Sequence, residues 1–226
     1  MDERSVSLKD RVDRINRARA GTRSLVEGAL DLLSSEGPTA LTTARIASTA
    51  GLSQPAFYVY FPTRESCLRL LGETVARVVV ARIEPHLERA LAVVDERSLR
   101  RALGHLEVAL FELSTTHRRT ATVFSRIRAD PWCSIGAAIA AREDEMRRSI
   151  LSAAASGRPR GDAGPTSVTS IDVGYAGIVG VLETALRGGP ERVSEGVEGL
   201  RGLFRRRRSS LAETGSADAG LRPLRE

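Results

Sequence analysis

The sequence lacks the features that would place it among disulfide-rich, zinc-binding or membrane proteins. Its two cysteines, Cys67 and Cys133, stand far apart and form no C-x-x-C pair, so neither a disulfide scaffold nor a zinc site is expected. A redox-sensing thiol is the minority interpretation. No apolar stretch approaches the length of a membrane span, and no N-terminal apolar run resembles a signal peptide. We therefore expect a cytoplasmic protein that does not enter a membrane.

The parts of common enzyme sites are missing as well. The sequence contains no phosphate-binding glycine loop, no G-x-S-x-G elbow and no pair of carboxylates that stands out from ordinary helix surface charge. Its three histidines, His86, His105 and His117, have no H-E-x-x-H or similar ligand spacing. We therefore expect no enzymatic activity, no metal site and no cofactor.

Lysine is nearly absent. Lys9 is the single lysine, and the other 33 of the 34 Lys and Arg residues are arginines. The formal net charge is +6 and the pI is about 10.2. A positive balance favours an anionic partner, although arginine in place of lysine also reflects GC-rich codon usage. Residues 1–21 carry arginines at near-helical spacing, and we expect them to form a basic flexible arm that is either solvated or placed along DNA.

Aromatic residues make up only 4% of the chain, yet four of the nine fall between positions 57 and 61. They end the segment T-T-A-R-I-A-S-T-A-G-L-S-Q-P-A-F-Y-V-Y-F, residues 42–61. This segment is typical of a helix-turn-helix, in which two short helices are joined by a glycine-containing turn. A nucleic-acid-binding protein is therefore the first hypothesis.

The local chemistry of this segment predicts where each helix begins and ends. Thr42 can cap a helix over residues 43–50, and Gly51 can end it in the left-handed conformation. Ser53 can cap the next helix, in whose first turn Pro55 is tolerated. The expected inward-facing residues are Ile46, Ala47, Phe57 and Phe61. The expected outward-facing residues are Gln54, Pro55, Ala56, Tyr58 and Tyr60.

The outward-facing side chains have chemistry that suits DNA. A tyrosine hydroxyl can donate to a phosphate oxygen, which suits Tyr58 and Tyr60. Gln54 can form a bidentate contact with adenine, and Pro55 and Ala56 can contact a thymine methyl group.

The run from Thr22 to Leu70 resembles the DNA-binding domain of the TetR family of bacterial transcriptional regulators. The resemblance is carried by T-R-S-L-V-E-G-A-L-D-L-L, I-A-S-T-A-G-L-S and Y-V-Y-F-P-T-R-E-S. It implies a homodimer on double-stranded DNA, with Arg64 beside a phosphate in place of the family's usual lysine. Arg45 stands where an acidic residue is common, and Gln54-Pro55-Ala56 replaces the frequent Lys-Gly-Thr, so the operator sequence does not carry over. The expected DNA-binding set is Thr42, Thr43, Arg45, Ser53, Gln54, Pro55, Ala56, Tyr58, Tyr60 and Arg64.

The rest of the chain predicts helices and no strand of useful length. Helices are expected at about residues 22–35, 63–83, 85–94, 98–115, 118–128, 131–156, 167–187 and 190–209, with Asp130-Pro131 starting the sixth of these. The expected fold is all-α, with an N-terminal three-helix helix-turn-helix domain and a C-terminal helical-bundle regulatory domain. The expected divisions are an arm at 1–21, the DNA-binding domain at 22–68, the ligand-binding and dimerisation domain at 69–209, and a disordered tail at 210–226.

Apolar residues recur at spacings of three and four in the last two helices, which is typical of a packing seam. The seam can be ordinary packing within the chain, but the family resemblance assigns these helices to a four-helix dimer interface. The expected interface residues are Ile171, Tyr175, Ile178, Leu182, Val193, Val197, Leu200 and Phe204.

The larger domain is expected to sense a small apolar or amphipathic effector that releases a repressor from a partly palindromic operator. The candidate pocket residues are Val75, Val78, Val79, His105, Leu106, Leu110, Phe111, Phe124, Trp132 and Tyr175, each of which also suits the core of a helical bundle. The alternatives are an architectural DNA-binding protein without an effector, and a small-molecule-binding protein with a vestigial helix-turn-helix. The residues do not distinguish a repressor from an activator, and they name neither effector nor operator.

Overall fold

The computed structural model describes residues 8–93, 95–130, 133–156 and 167–218, and every regular element in these ranges is helical. The predicted all-α fold is confirmed. The elements are α1 (Leu8–Ser35), a short 3-10 turn (Pro38–Ala40), α2 (Thr43–Thr49), α3 (Gln54–Tyr60), α4 (Arg64–Ala92), α5 (Glu96–Ser114), α6 (Arg118–Ile127), α7 (Ser134–Ser156), α8 (Val168–Gly188) and α9 (Arg192–Asp218). None of the helices in this part of the chain has the length and apolar character needed to cross a membrane.

The first three helices pack around a small apolar core. Leu25 and Ala29 of α1, Ile46 and Ala47 of α2, and Phe57 of α3 are all fully buried. Burying a leucine, isoleucine or phenylalanine side chain stabilises the fold by about 1.5–3 kcal/mol. This core holds the two short helices, which are too short to be stable alone.

The helix α4 connects this core to the rest of the molecule. Thr63 caps it in a capping box with Ser66, and Glu65 lies in its first turn, as expected. The predicted end at Ile83 and the separate helix over 85–94 were wrong, because α4 continues through Pro85 to Ala92. An interior proline costs about 3 kcal/mol. Burial on both sides offsets this cost, since Ile83 and Leu87 are fully enclosed by neighbouring helices.

Both ends of the chain are more helical than predicted. The first helix begins at Leu8 rather than near residue 22, so most of the predicted arm belongs to α1. The last helix continues to Asp218, well into the predicted tail. Extending an existing helix costs much less than starting one, and no proline interrupts either extension. The predicted arm at 1–7 and tail at 219–226 lie outside the described residues, as does the glycine- and proline-rich linker at 157–165.

The predicted start of a helix at Asp130-Pro131 was also wrong. The backbone N–H of Asp130 donates to Ile127 O at 2.9 Å, so this residue closes the turn after α6. The next helix begins at Ser134, where the carbonyl of Cys133 accepts from Ala137 N at 2.9 Å. The Sγ atom of Cys133 accepts from Gly136 N at 3.2 Å and fills the capping role predicted for aspartate.

The apolar seam of α8 and α9 is filled within a single chain. Its eight predicted residues are all at most 5% exposed, from Ile171 at 0% to Val197 and Leu200 at 5%. They pack between the two helices and against the rest of the bundle. These side chains therefore do not form a free surface, and a second copy that packed on these two helices would contact their outward faces instead.

Candidate nucleic-acid interface

The turn between α2 and α3 has the geometry that its residues predict. The Thr42 hydroxyl accepts from Arg45 N at 3.3 Å, and the Ser53 hydroxyl accepts from Ala56 N at 3.4 Å. Gly51 has φ of 71°, in the left-handed region that favours glycine. The N–H of Leu52 then donates to Ala47 O at 2.8 Å and closes the turn. The two predicted caps and the glycine stop are confirmed.

The outer face of α3 presents a compact set of polar and apolar groups. Gln54 and Pro55 are exposed, and the Tyr58 side chain is 51% exposed. Phe57, one position earlier, is fully buried and fixes the rotation of the helix. Val59 is 79% exposed, the highest value given for a large apolar residue in the described chain. Sequence reasoning missed Val59, although it lies four residues after Pro55 and therefore on the same helix face.

Tyr60 does not face outward as predicted. Its ring is half-buried and packs against α1, where a methyl group on Gly21 would overlap it. The absence of a side chain at Gly21 lets the ring lie against the helix backbone. Tyr60 therefore joins α3 to α1, and of the two tyrosines Tyr58 is the one with a large outward surface.

Besides the capping residues Thr42 and Ser53, four polar members of the predicted set form side-chain bonds within the chain. Arg45 Nη2 lies 2.6 Å from Glu36 Oε1, and both side chains are about half exposed. Gln54 Nε2 donates to Thr43 Oγ1 at 3.3 Å. Arg64 Nε donates to Leu41 O at 2.6 Å, which fastens the start of α4 to the loop before α2. A DNA contact by Arg45 would have to replace its ion pair.

The N-terminal region matches the family model described as "Bacterial regulatory proteins, tetR family" over residues 25–71. This match covers the helix-turn-helix and the beginning of α4. Residues 25–71 are similar to the DNA-binding region of TetR-family regulators. No curated protein sequence matches it closely enough to count as a relative.

Solved structures of TetR-family proteins share the fold of most of the chain. A TetR-family transcription regulator from Marinobacter aquaeolei VT8 is 18% identical with a TM-score of 0.58, covering 83% of this chain and 96% of its own. A putative regulator from Shewanella sp. PV-4 is 17% identical with a TM-score of 0.58, covering 81% and 95%. The ketosteroid transcriptional regulator KstR2 of Mycobacterium tuberculosis is 18% identical with a TM-score of 0.51, covering 80% and 93%. At these identities the likeness shows the fold.

The residues predicted to line an effector pocket separate into three groups. Six are at most 2% exposed and belong to the core: Val75, Val79, Leu106, Leu110, Phe124 and Tyr175. Val78 is half-buried, while His105 is exposed and Phe111 is 50% exposed, so these last two face solvent rather than the interior. Trp132 lies outside the described residues. The ion pair between partly exposed Arg128 and buried Glu143, which sequence reasoning missed, lies beside Phe124 and Tyr175.

Other titratable side chains of the larger domain are better explained by packing. Burial lowers the pKa of His86, whose ring lies edge-on to His105 with 6.3 Å between ring centroids. Burial raises the pKa of the Cys67 thiol to about 12, which makes it a poor nucleophile. Within the described ranges no three His, Cys, Asp or Glu residues meet in a way that could hold a metal ion.

Proposed function

We propose that this protein is a dimeric repressor of the TetR family, which binds a partly palindromic operator and is released from it by a small effector. The observation that carries this proposal is the exposed outer face of α3, built on a fully buried Phe57. Gln54, Pro55, Tyr58 and Val59 together offer an amide, a phenol and two apolar groups. This mixture suits contacts with adenine, phosphate and thymine methyl groups.

A dimer is needed because one short recognition helix reads only one half-site. The outward faces of α8 and α9 support a second copy as the partner. Val173 is 47% exposed, and methyl groups at Gly180 and Gly199 would meet no atom of another element within 4 Å in the described part of the chain. A helix-interior glycine costs about 1 kcal/mol relative to alanine. Close approach of a second copy to these glycines would offset this cost in helix stability, which packing within the chain leaves uncompensated.

Release by an effector requires a connection between the two regions. The helix α4 passes from the helix-turn-helix into the bundle, and Arg119 of α6 forms an ion pair with Asp31 of α1. An effector that binds one arrangement of α6 and α4 more tightly than the other shifts the protein toward it. We propose that the favoured arrangement separates the two recognition helices by a distance that no longer matches adjacent major grooves.

The proposal is tested by the ratio of specific to non-specific affinity. Full-length protein is titrated against a fragment isolated by selection from random DNA and against unselected DNA, and sedimentation gives the number of chains bound. We expect two chains per fragment and a ratio of at least roughly 10³. Gln54→Ala and Val59→Ala should each lower the ratio, whereas the exposed control Glu112→Gln should not. Equal affinity for both DNAs would instead indicate an architectural protein.

A further inference from the structure

An open groove between α1 and α4 offers room for a small molecule, and it is separate from the residues predicted to line a pocket. Its volume is about 440 Å³, which is within the range of small-molecule sites. Its apolar lining comes from Val26, which is 7% exposed, from half-buried Leu70 and from exposed Ala18. The apolar part of a ligand can therefore lie along this strip between the two helices.

Three arginines line the same groove from both helices. Arg19 and Arg23 belong to α1 and Arg77 belongs to α4, and all three side chains are exposed. Among the residues that the structure describes, none forms an ion pair or a hydrogen bond with these three guanidinium groups. Arg19 and Arg23 are four positions apart, where two like charges destabilise a helix. An anion in the groove would offset this repulsion.

The polar groups of the groove suit a phosphate monoester. The three arginines and Glu27 contribute three positive charges and one negative charge, which leave +2. A phosphate monoester carries a charge of about −1.5 to −2 at pH 7, and a guanidinium group binds its oxygens through paired N–H donors. Half-buried Thr22 and Thr74 add two hydroxyl groups that can also donate to phosphate. A carboxylate, with one charge and two oxygens, would leave part of these donors unused.

A free amphipathic molecule fits the groove better than the backbone of DNA. A backbone phosphate carries no apolar chain, so Val26 and Leu70 would stay in contact with water. We propose that the groove binds an amphipathic phosphate monoester, with the phosphate among Arg19, Arg23 and Arg77 and the apolar chain along the strip. This inference rests on the proposed function, because it specifies the chemical class of the effector and its site.

A ligand in this groove would act close to the recognition helix. Thr22 follows Gly21, against which the ring of Tyr60 in α3 packs. The opposite wall belongs to α4, which continues into the bundle as far as Ala92. A ligand that contacts both helices favours one placement of α1 against α4, and it thereby biases the position of α3 relative to the bundle.

The test uses n-octyl phosphate as the probe, titrated into DNA-free full-length protein by calorimetry at neutral pH. We expect n-octanol and ethyl phosphate each to bind at least about 10-fold more weakly, because the first lacks the charge and the second lacks the apolar chain. Octanoate should also bind more weakly, because it carries a single charge. Equal binding of octyl phosphate and any of these three compounds, or no binding of octyl phosphate, would overturn the proposal.

Substitutions in the groove locate the probe. Arg77→Gln should weaken octyl phosphate binding by roughly 10-fold, since a hydrogen-bonded charge is lost. Ala18→Phe keeps every charge but fills the apolar strip, so it should weaken binding as well. Arg89→Gln is the matched control, because this exposed arginine of α4 lies outside the groove. All three positions are exposed, so urea unfolding should show that each variant folds. Unchanged octyl phosphate affinity in either groove variant would place the probe elsewhere and contradict the assignment.

Vesicles of phosphatidylcholine and phosphatidic acid distinguish a free ligand from a membrane lipid. We expect octyl phosphate to bind and the vesicles to retain no protein, because the site is a groove between two helices. Binding to the vesicles without binding of octyl phosphate would assign the groove to a membrane surface and overturn the proposal.

The same protein is then titrated with its selected DNA in the absence of octyl phosphate. Binding of specific DNA without binding of octyl phosphate overturns the groove assignment alone. Binding of octyl phosphate without specific DNA overturns the proposed function and supports the groove as a phosphate site. If octyl phosphate does not bind and Arg77→Gln lowers the salt dependence of DNA affinity, the groove contacts DNA phosphates instead.

When both bind, octyl phosphate should weaken the DNA complex of the Arg89→Gln control far more than that of Arg77→Gln. Equal weakening of the two complexes would contradict the link between the groove and release from DNA.

Discussion

Glu36→Gln is expected to strengthen DNA binding. In the free protein Arg45 Nη2 lies 2.6 Å from Glu36 Oε1, with 48% and 46% of the two side chains exposed. An exposed pair of this kind contributes about 0.2–1 kcal/mol. If Arg45 contacts DNA, this energy opposes binding, and its removal should raise affinity by about 1.4- to 5-fold, since 1.4 kcal/mol corresponds to a factor of ten.

The assay is fluorescence anisotropy with a selected DNA fragment at several salt concentrations. Glu27→Gln is the control, because it removes an equal charge from an exposed position of α1 and leaves the Arg45–Glu36 ion pair in place. A general loss of repulsion from phosphates would raise affinity equally in both variants. In an Arg45→Gln background, Glu36→Gln should have no further effect beyond that of the control. If the Glu36→Gln variant and the unaltered protein bind DNA with equal affinity, Glu36 does not compete with DNA for Arg45.

Three further predictions concern packing, burial and charge within the fold. Phe57→Ala should destabilise the protein by about 3–5 kcal/mol in urea unfolding followed by circular dichroism, whereas Val59→Ala should change stability by no more than about 0.5 kcal/mol. A thiol reagent should modify partly exposed Cys133 before Cys67, whose pKa burial raises to about 12; faster reaction of Cys67 would contradict its placement. Hydrogen bonds from two arginines of α9 lower the pKa of Glu96 to about 2. The contribution of ionised Glu96 to folding stability should therefore be complete above about pH 4.5 and lost as the pH falls toward 2. An E96Q variant whose stability has the same pH dependence as that of the unaltered protein would contradict this.

The helix-turn-helix could be predicted because its structure depends on neighbouring residues. The caps at Thr42 and Ser53 and the left-handed Gly51 are set by chemistry within three or four positions, and the sequence displays it directly. The burial of Phe57 follows from the same short-range geometry. Helix boundaries elsewhere were less accurate, because a proline such as Pro85 is tolerated when the surrounding bundle buries both sides of the helix.

Contacts between distant residues could not be read from the sequence. Tyr60 was predicted to face DNA because its position in α3 allowed it, and only the nearby Gly21 of α1 shows why it packs inward. Arg128 and Glu143 are 15 residues apart on different helices. Each looks like an ordinary surface charge at helical spacing. Their pairing depends on the packing of α6 against α7, which no local pattern encodes.

The central claim is that the outer face of α3 reads a specific DNA sequence in two copies. The most direct measurement is selection from a random DNA pool by the full-length protein, followed by footprinting of the enriched fragments. We predict two inverted half-sites whose centres are about 34–36 Å apart, or one helical turn, with altered preference at the positions contacted when Gln54 or Val59 is replaced. A pool that gains no common sequence, or one enriched sequence unchanged in the Gln54 and Val59 variants, would contradict the claim.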